Sequence, residues 1–89
     1  MVKVVLDSWL KEFGSPEETT IPAADVGKLL DVLEERYPGL RYRLRDETGA
    51  VRRYVRVFVD GEALDPHQVL KVPLRDSQTV DILHSIAGG

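Results

Sequence analysis

One stretch of this chain reads as a long helix, and it limits the architecture more than any other feature. Asp25 offers a carboxylate to free backbone N–H groups at a helix start. Val26, Leu29, Leu30, Leu33 and Tyr37 follow with the i, i+3, i+4, i+7 spacing of a single apolar stripe. Asp31, Glu34, Glu35 and Arg36 fall elsewhere on the wheel, and Pro38-Gly39 stops the helix. A helix with one apolar stripe must bury it against something else. The remaining apolar segments are strand-like, so the partner is a sheet.

Those segments are short and alternate. Val2 to Asp7 is a first strand, with Val2, Val4 and Leu6 on one face and Lys3, Val5 and Asp7 on the other. Trp9, Leu10 and Phe13 fit either a short helical turn or a packed loop. Gly14-Ser15-Pro16 is a turn signal, and Glu17 to Pro22 reads as a second strand. Leu40 and Leu44 hint at a further helical turn, and Thr48-Gly49 at another chain reversal. Tyr54 to Asp60 is the strongest strand, with Val55, Val57 and Val59 inward and Tyr54, Arg56 and Phe58 outward. Asp60-Gly61 is a hairpin turn signal, with a short return over Glu62 to Leu64. Residues 65–77 read as a loop. Gln78 to Leu83 is the last strand, Val80 and Ile82 inward, Asp81 and Leu83 outward. The order predicts an α+β fold: a mixed sheet of four to five strands with one main helix across one face. The first and last strands pair in parallel at its centre, the arrangement called the β-grasp.

At 89 residues, this is one domain over 1–84 with a flexible tail over 85–89. No apolar run nears the roughly 20 residues that span a bilayer. The apolar part of the first residues is too short for a signal peptide, so a cytoplasmic location is expected. There is no cysteine, hence no thiol nucleophile and no thiolate metal site. His67 and His84 lack metal-ligand spacing, and no phosphate-loop, nucleophile-elbow or metalloprotease motif occurs, so neither a metal nor an enzyme activity is expected. Six arginines, Arg41, Arg43, Arg45, Arg52, Arg53 and Arg56, face only Asp46 and Glu47 in their segment. They read as a solvated loop, or as a patch for an acidic partner or a phosphate. A net charge of −3 argues against nucleic acid as the main partner.

The sequence closes on Ile86-Ala87-Gly88-Gly89. Glycine packs poorly at the end of a strand but suits a thin tail that enters a narrow channel. Together with this tail, the strand at Val2 to Asp7, the helix VGKLLDVLEERYPGL, the hairpin YVRVFVDGE and the ending QTVDILHSIAGG resemble ubiquitin-like sulfur carriers of the MoaD/ThiS family. Asp60 stands where that family usually has asparagine, and Ser85 replaces a frequent proline. The longer Leu40 to Tyr54 segment resembles that of the carriers associated with cysteine biosynthesis.

The resemblance implies a non-catalytic carrier, or the non-catalytic subunit of a molybdopterin-synthase-like complex. The Gly89 carboxylate, an anion at neutral pH, resists nucleophiles. The resemblance implies that an E1-like enzyme adenylates it with ATP, that a sulfur donor converts it to a thiocarboxylate, and that a sulfur-accepting synthase receives the sulfur. Gly88 and Ala87 thread the channel, and no cofactor stays bound. The alternative is a ubiquitin-like modifier joined to lysine through Gly89; an RNA-binding domain using the arginines is a third. From the strand alternation, Val5, Phe58 and Leu83 share the open face of the sheet and are expected to form an apolar partner-binding patch at the root of the tail. Arg53 and Arg56 are expected at its rim.

Overall fold

The computed structural model describes residues 1–84; the tail expected at 85–89 lies outside the described residues. Five strands form one sheet: β1 (Val2–Leu6), β2 (Glu18–Ile21), β3 (Val55–Val59), β4 (Glu62–Ala63) and β5 (Thr79–His84). Their spatial order is β2-β1-β5-β3-β4. β1 and β5 run parallel at the centre, and every other pairing is antiparallel. The long helix, α1 (Val26–Arg36), connects β2 to the second half of the chain. This is the β-grasp.

The helix starts where its cap requires. The Asp25 side chain accepts a hydrogen bond from the Lys28 N–H at 2.8 Å, satisfying a donor that the helix leaves free. Val26, Leu29, Leu30 and Leu33 are buried, while Tyr37 is half-buried and caps the C-terminus. Opposite them lie Val2, Val4 and Leu6 of β1, Val55, Val57 and Val59 of β3, and Val80 and Ile82 of β5, all buried. Each such side chain removed from water stabilises the fold by about 1.5–3 kcal/mol, offset mainly by chain entropy.

The hairpin between β3 and β4 follows from Asp60-Gly61, whose φ angles of 49° and 84° fit a turn with two left-handed residues. Asp60 does more than turn: its carboxylate accepts hydrogen bonds from the Thr79 N–H at 2.9 Å and the Gln78 side chain at 3.3 Å. It therefore ties the hairpin to the start of β5.

The structure has the helical one of the two forms left open after the first strand, and two other parts differ from the sequence expectation. Ser8–Phe13 is a 3-10 helix, with Leu10 buried beneath it. The loop expected over 65–77 contains another 3-10 helix, Val69–Lys71, and buries Val69 and Leu74. The strand expected from Tyr54 begins at Val55, leaving Tyr54 outside the ladder.

Candidate functional site: the end of the central strand

Every residue of the buried apolar core is Val, Leu or Ile. Trp9, Phe13 and Tyr54 gather instead at one end of the sheet, around His84, the last residue of β5. His84 is also the last described residue.

β1 ends at Leu6, opposite Ile82 and two residues short of His84, and Asp7 extends the contact in two ways. Its N–H donates to the Ile82 carbonyl at 3.0 Å. Its carboxylate accepts the His84 N–H at 2.8 Å, so a side chain continues the ladder after the backbone has turned away. Asp7 also sits at the N-cap of the 3-10 helix but makes no side-chain cap bond there. Its carboxylate holds β5 rather than its own helix.

That helix presents Trp9 to the same place. The Trp9 ring centre lies 4.9 Å from His84 and 5.9 Å from Tyr54, and Tyr54 lies 5.4 Å from His84. Such tilted and edge-on contacts are worth roughly 0.5–1.5 kcal/mol per pair beyond area burial. Phe13 packs edge-on against Trp9 at 6.0 Å, and the Arg43 guanidinium sits over the Phe13 ring at 4.2 Å. The Trp9 Nε1–H is buried and has no hydrogen-bond partner among the described residues. Gly39 sets the position of the helix from below: a Cβ there would lie 2.0 Å from the Phe13 carbonyl oxygen.

The residues expected to meet a partner lie on the open face. The ladder places Val5 opposite Asp81, and Asp81 opposite Phe58. Val5 and Phe58 thus stand two strand spacings apart, about 10 Å, with a carboxylate between them. Leu83 lies one pleat nearer the tail, opposite Arg56. Val5 and Phe58 are half-buried, while Leu83 is 38% exposed. The face is therefore a mixed one, with its most exposed apolar side chain next to the exit of β5. Arg53 and Arg56 are exposed. Ala87, Gly88 and Gly89 lie outside the described residues.

The six arginines do not form one patch. Arg45 is mostly buried and joins its segment to α1, its Nε donating to Glu34 at 2.9 Å and its Nη2 to Asp31 at 2.8 Å. The hydrogen bond to Glu34 is the main cause that raises its pKa further above its already high value. The Arg52 Nε donates to the Tyr42 carbonyl at 2.6 Å. With Arg43 over Phe13, three of the six hold the 41–53 segment in place. A run of like charges in the sequence does not distinguish these roles.

Asp7, Trp9, Tyr54 and His84 as a cluster escape the sequence reading. The available signal was an aromatic set excluded from every alternating core pattern, but its members are dispersed from Trp9 to His84. The parallel β1–β5 pairing brings Asp7 and Trp9 to His84, and the antiparallel β3–β5 pairing brings Tyr54. No three His, Cys, Asp or Glu side chains gather as a metal site among the described residues. No helix among them is long and apolar enough to cross a membrane.

A family model, ThiS family, matches the chain over residues 8–89. The chain belongs to the ThiS family. A relative from Mycobacterium tuberculosis, named sulfur carrier protein CysO, is 28% identical over 78 residues, covering 85% of this chain and 84% of the relative. A chain in the crystal structure of the Amycolatopsis orientalis BexX/CysO complex superposes with a TM-score of 0.86 at 28% identity, covering 100% of both chains. Small archaeal modifier protein 1 from Methanosarcina acetivorans has a TM-score of 0.84 at 24% identity, covering 99% of this chain and 95% of that one; it shares the fold.

Proposed function

We propose that this ThiS-family chain is a sulfur carrier whose Gly89 carboxylate is activated as an adenylate and converted to a thiocarboxylate. The observation that carries this reading is the family match running through residue 89, on a fold that anchors β5 up to His84. The five residues 85–89 can extend roughly 15 Å, enough to enter another protein's active site while the domain stays outside.

The chemistry requires activation because a carboxylate anion is a poor electrophile. One carboxylate oxygen of Gly89 attacks the α-phosphorus of ATP, and pyrophosphate leaves. Sulfide-level sulfur from the donor, as HS⁻, then attacks the Gly89 carbonyl carbon, AMP leaves, and loss of the S–H proton gives the thiocarboxylate. An E1-like enzyme consumes the ATP; the carrier supplies the electrophile and no catalytic group. Gly88 and Ala87 leave the channel clear of bulky side chains. Leu83, with Val5, Phe58, Arg53 and Arg56, supplies the face that meets the activating enzyme. The named relatives CysO, and the BexX/CysO complex in which one was solved, support a carrier that works bound to protein partners.

Intact-mass spectrometry of the protein from its native host tests this. Replacement of one oxygen by sulfur, localised to Gly89, is the expected result. Only unmodified protein, accompanied by branched Gly-Gly remnants on lysines of other proteins, would replace the carrier with the modifier reading.

A further inference from the structure

A groove of about 450 Å³ opens at the outer edge of β3, between residues 50–57 and the segment 64–71. Its base is apolar: Val55, Val57 and Val69 are buried, and Leu64 and Leu70 are half-buried. Its rim is cationic. Arg52, Arg53, Arg56 and Lys71 line it, with His67, and among the described residues no Asp or Glu does. The whole chain carries 12 Lys and Arg against 15 Asp and Glu, so a wall with four cations and no carboxylate runs against the molecule's overall charge. Among the described residues, none of these four cations forms an ion pair. Arg52 is positioned from behind by its bond to the Tyr42 carbonyl.

The groove lies along a partly open sheet edge. β4 pairs only with Phe58 and Val59, and the Leu64 N–H donates to the Val57 carbonyl. Beyond Val57 no strand among the described residues flanks the outer side of β3, and at Val55 the N–H donates to the Arg52 carbonyl at 3.0 Å. Val55 is also the residue opposite His84, so the groove begins one strand away from the root of the tail.

We propose that this groove docks an extended acidic segment of a partner protein that carries an apolar anchor side chain. The apolar base takes the anchor, the cationic rim takes flanking carboxylates, and a groove that runs along the edge of β3 suits an extended backbone. A nucleic acid fits less well: the wall has cations but no Phe, Tyr or Trp on which a base could stack. The proposal is separate from the chemistry of Gly89. It concerns a second hold on a partner, at the outer edge of β3, with Arg53 and Arg56 shared between it and the face that carries Leu83.

The test is a titration of the isotope-labelled full chain, followed by amide NMR, with a synthetic peptide alternating glutamate and leucine. Saturable shifts confined to residues 50–57 and 64–71 are expected. Affinity should fall at least about tenfold in the double variant R53E/K71E, whose two side chains are exposed and make no ion pair in the described structure. Gly89 deletion should leave this binding unchanged, which separates it from failure of the carrier reading. The proposal is overturned if the shifts map elsewhere, or if the peptide with lysine in place of glutamate binds as well. It is equally overturned if a polyglutamate peptide without leucine matches the parent peptide, or if a uridine-rich RNA oligonucleotide binds more tightly at the same site.

Discussion

Gly39 shows how one residue can govern a site it does not touch. Its absent side chain makes room for the Phe13 carbonyl oxygen, which a Cβ would approach to 2.0 Å. The obstructing atom is backbone, so it cannot rotate away. Gly39→Ala must push the 3-10 helix, and Trp9 with it, away from His84. A loss of about 1–3 kcal/mol is expected, read as a lower denaturant midpoint, with the near-ultraviolet signal of Trp9 altered. Asp46 gives a contrasting, local effect. The Thr48 hydroxyl, with the Thr48 and Ala50 N–H groups, holds its carboxyl below the ordinary value of 3.8. A depressed carboxyl stabilises the fold above its ordinary value and loses that contribution as pH falls through its lower folded value. The 46–50 turn should therefore open at a pH below 3.8 in the parent. Amide exchange across that turn in Asp46→Asn should show no such acid transition.

At the scale of elements, β5 is held by different means along its length. Pairing with β1 secures it up to Ile82 and pairing with β3 up to His84, and the Asp7 carboxylate adds a hold on His84 from the β1 side. Asp7→Ala should cost about 0.5–1.5 kcal/mol and unprotect the His84 amide in hydrogen exchange, whereas Asp7→Asn keeps an acceptor and should restore protection. An unchanged His84 amide in Asp7→Ala would show that the carboxylate contact has no holding role. The strands and helix were legible in the sequence because their signals are local: Val55, Val57 and Val59 alternate, Leu29 and Leu33 share a helix face, and Asp60-Gly61 turns. The 3-10 helix at Val69–Lys71 was not, because three residues give no period to count and Pro66 and Pro73 dominate the segment. The Asp7–His84 contact was not legible either, since it joins residues 77 positions apart. Val5, Phe58 and Leu83 were assigned to one face, but the Asp81 carboxylate between Val5 and Phe58 follows only from the register.

At the scale of the whole molecule, the core is aliphatic, and Trp9, Tyr54 and the exposed Leu83 lie at the His84 end of β5. Leu83→Ala should weaken binding to the activating enzyme by roughly 1–3 kcal/mol in titration calorimetry while the melting temperature changes little, because that side chain is 38% exposed. Parental affinity would move the contact surface elsewhere. The most direct measurement of carrier function is ATP–pyrophosphate exchange by the cognate E1-like enzyme, with the full chain and with Gly89 deleted. Removing that residue withdraws the carboxylate by about 3.3 Å, far more than in-line attack on the α-phosphorus tolerates. Exchange with the full chain and its loss on deletion is the expected result; undiminished exchange with the shortened chain would contradict activation at Gly89.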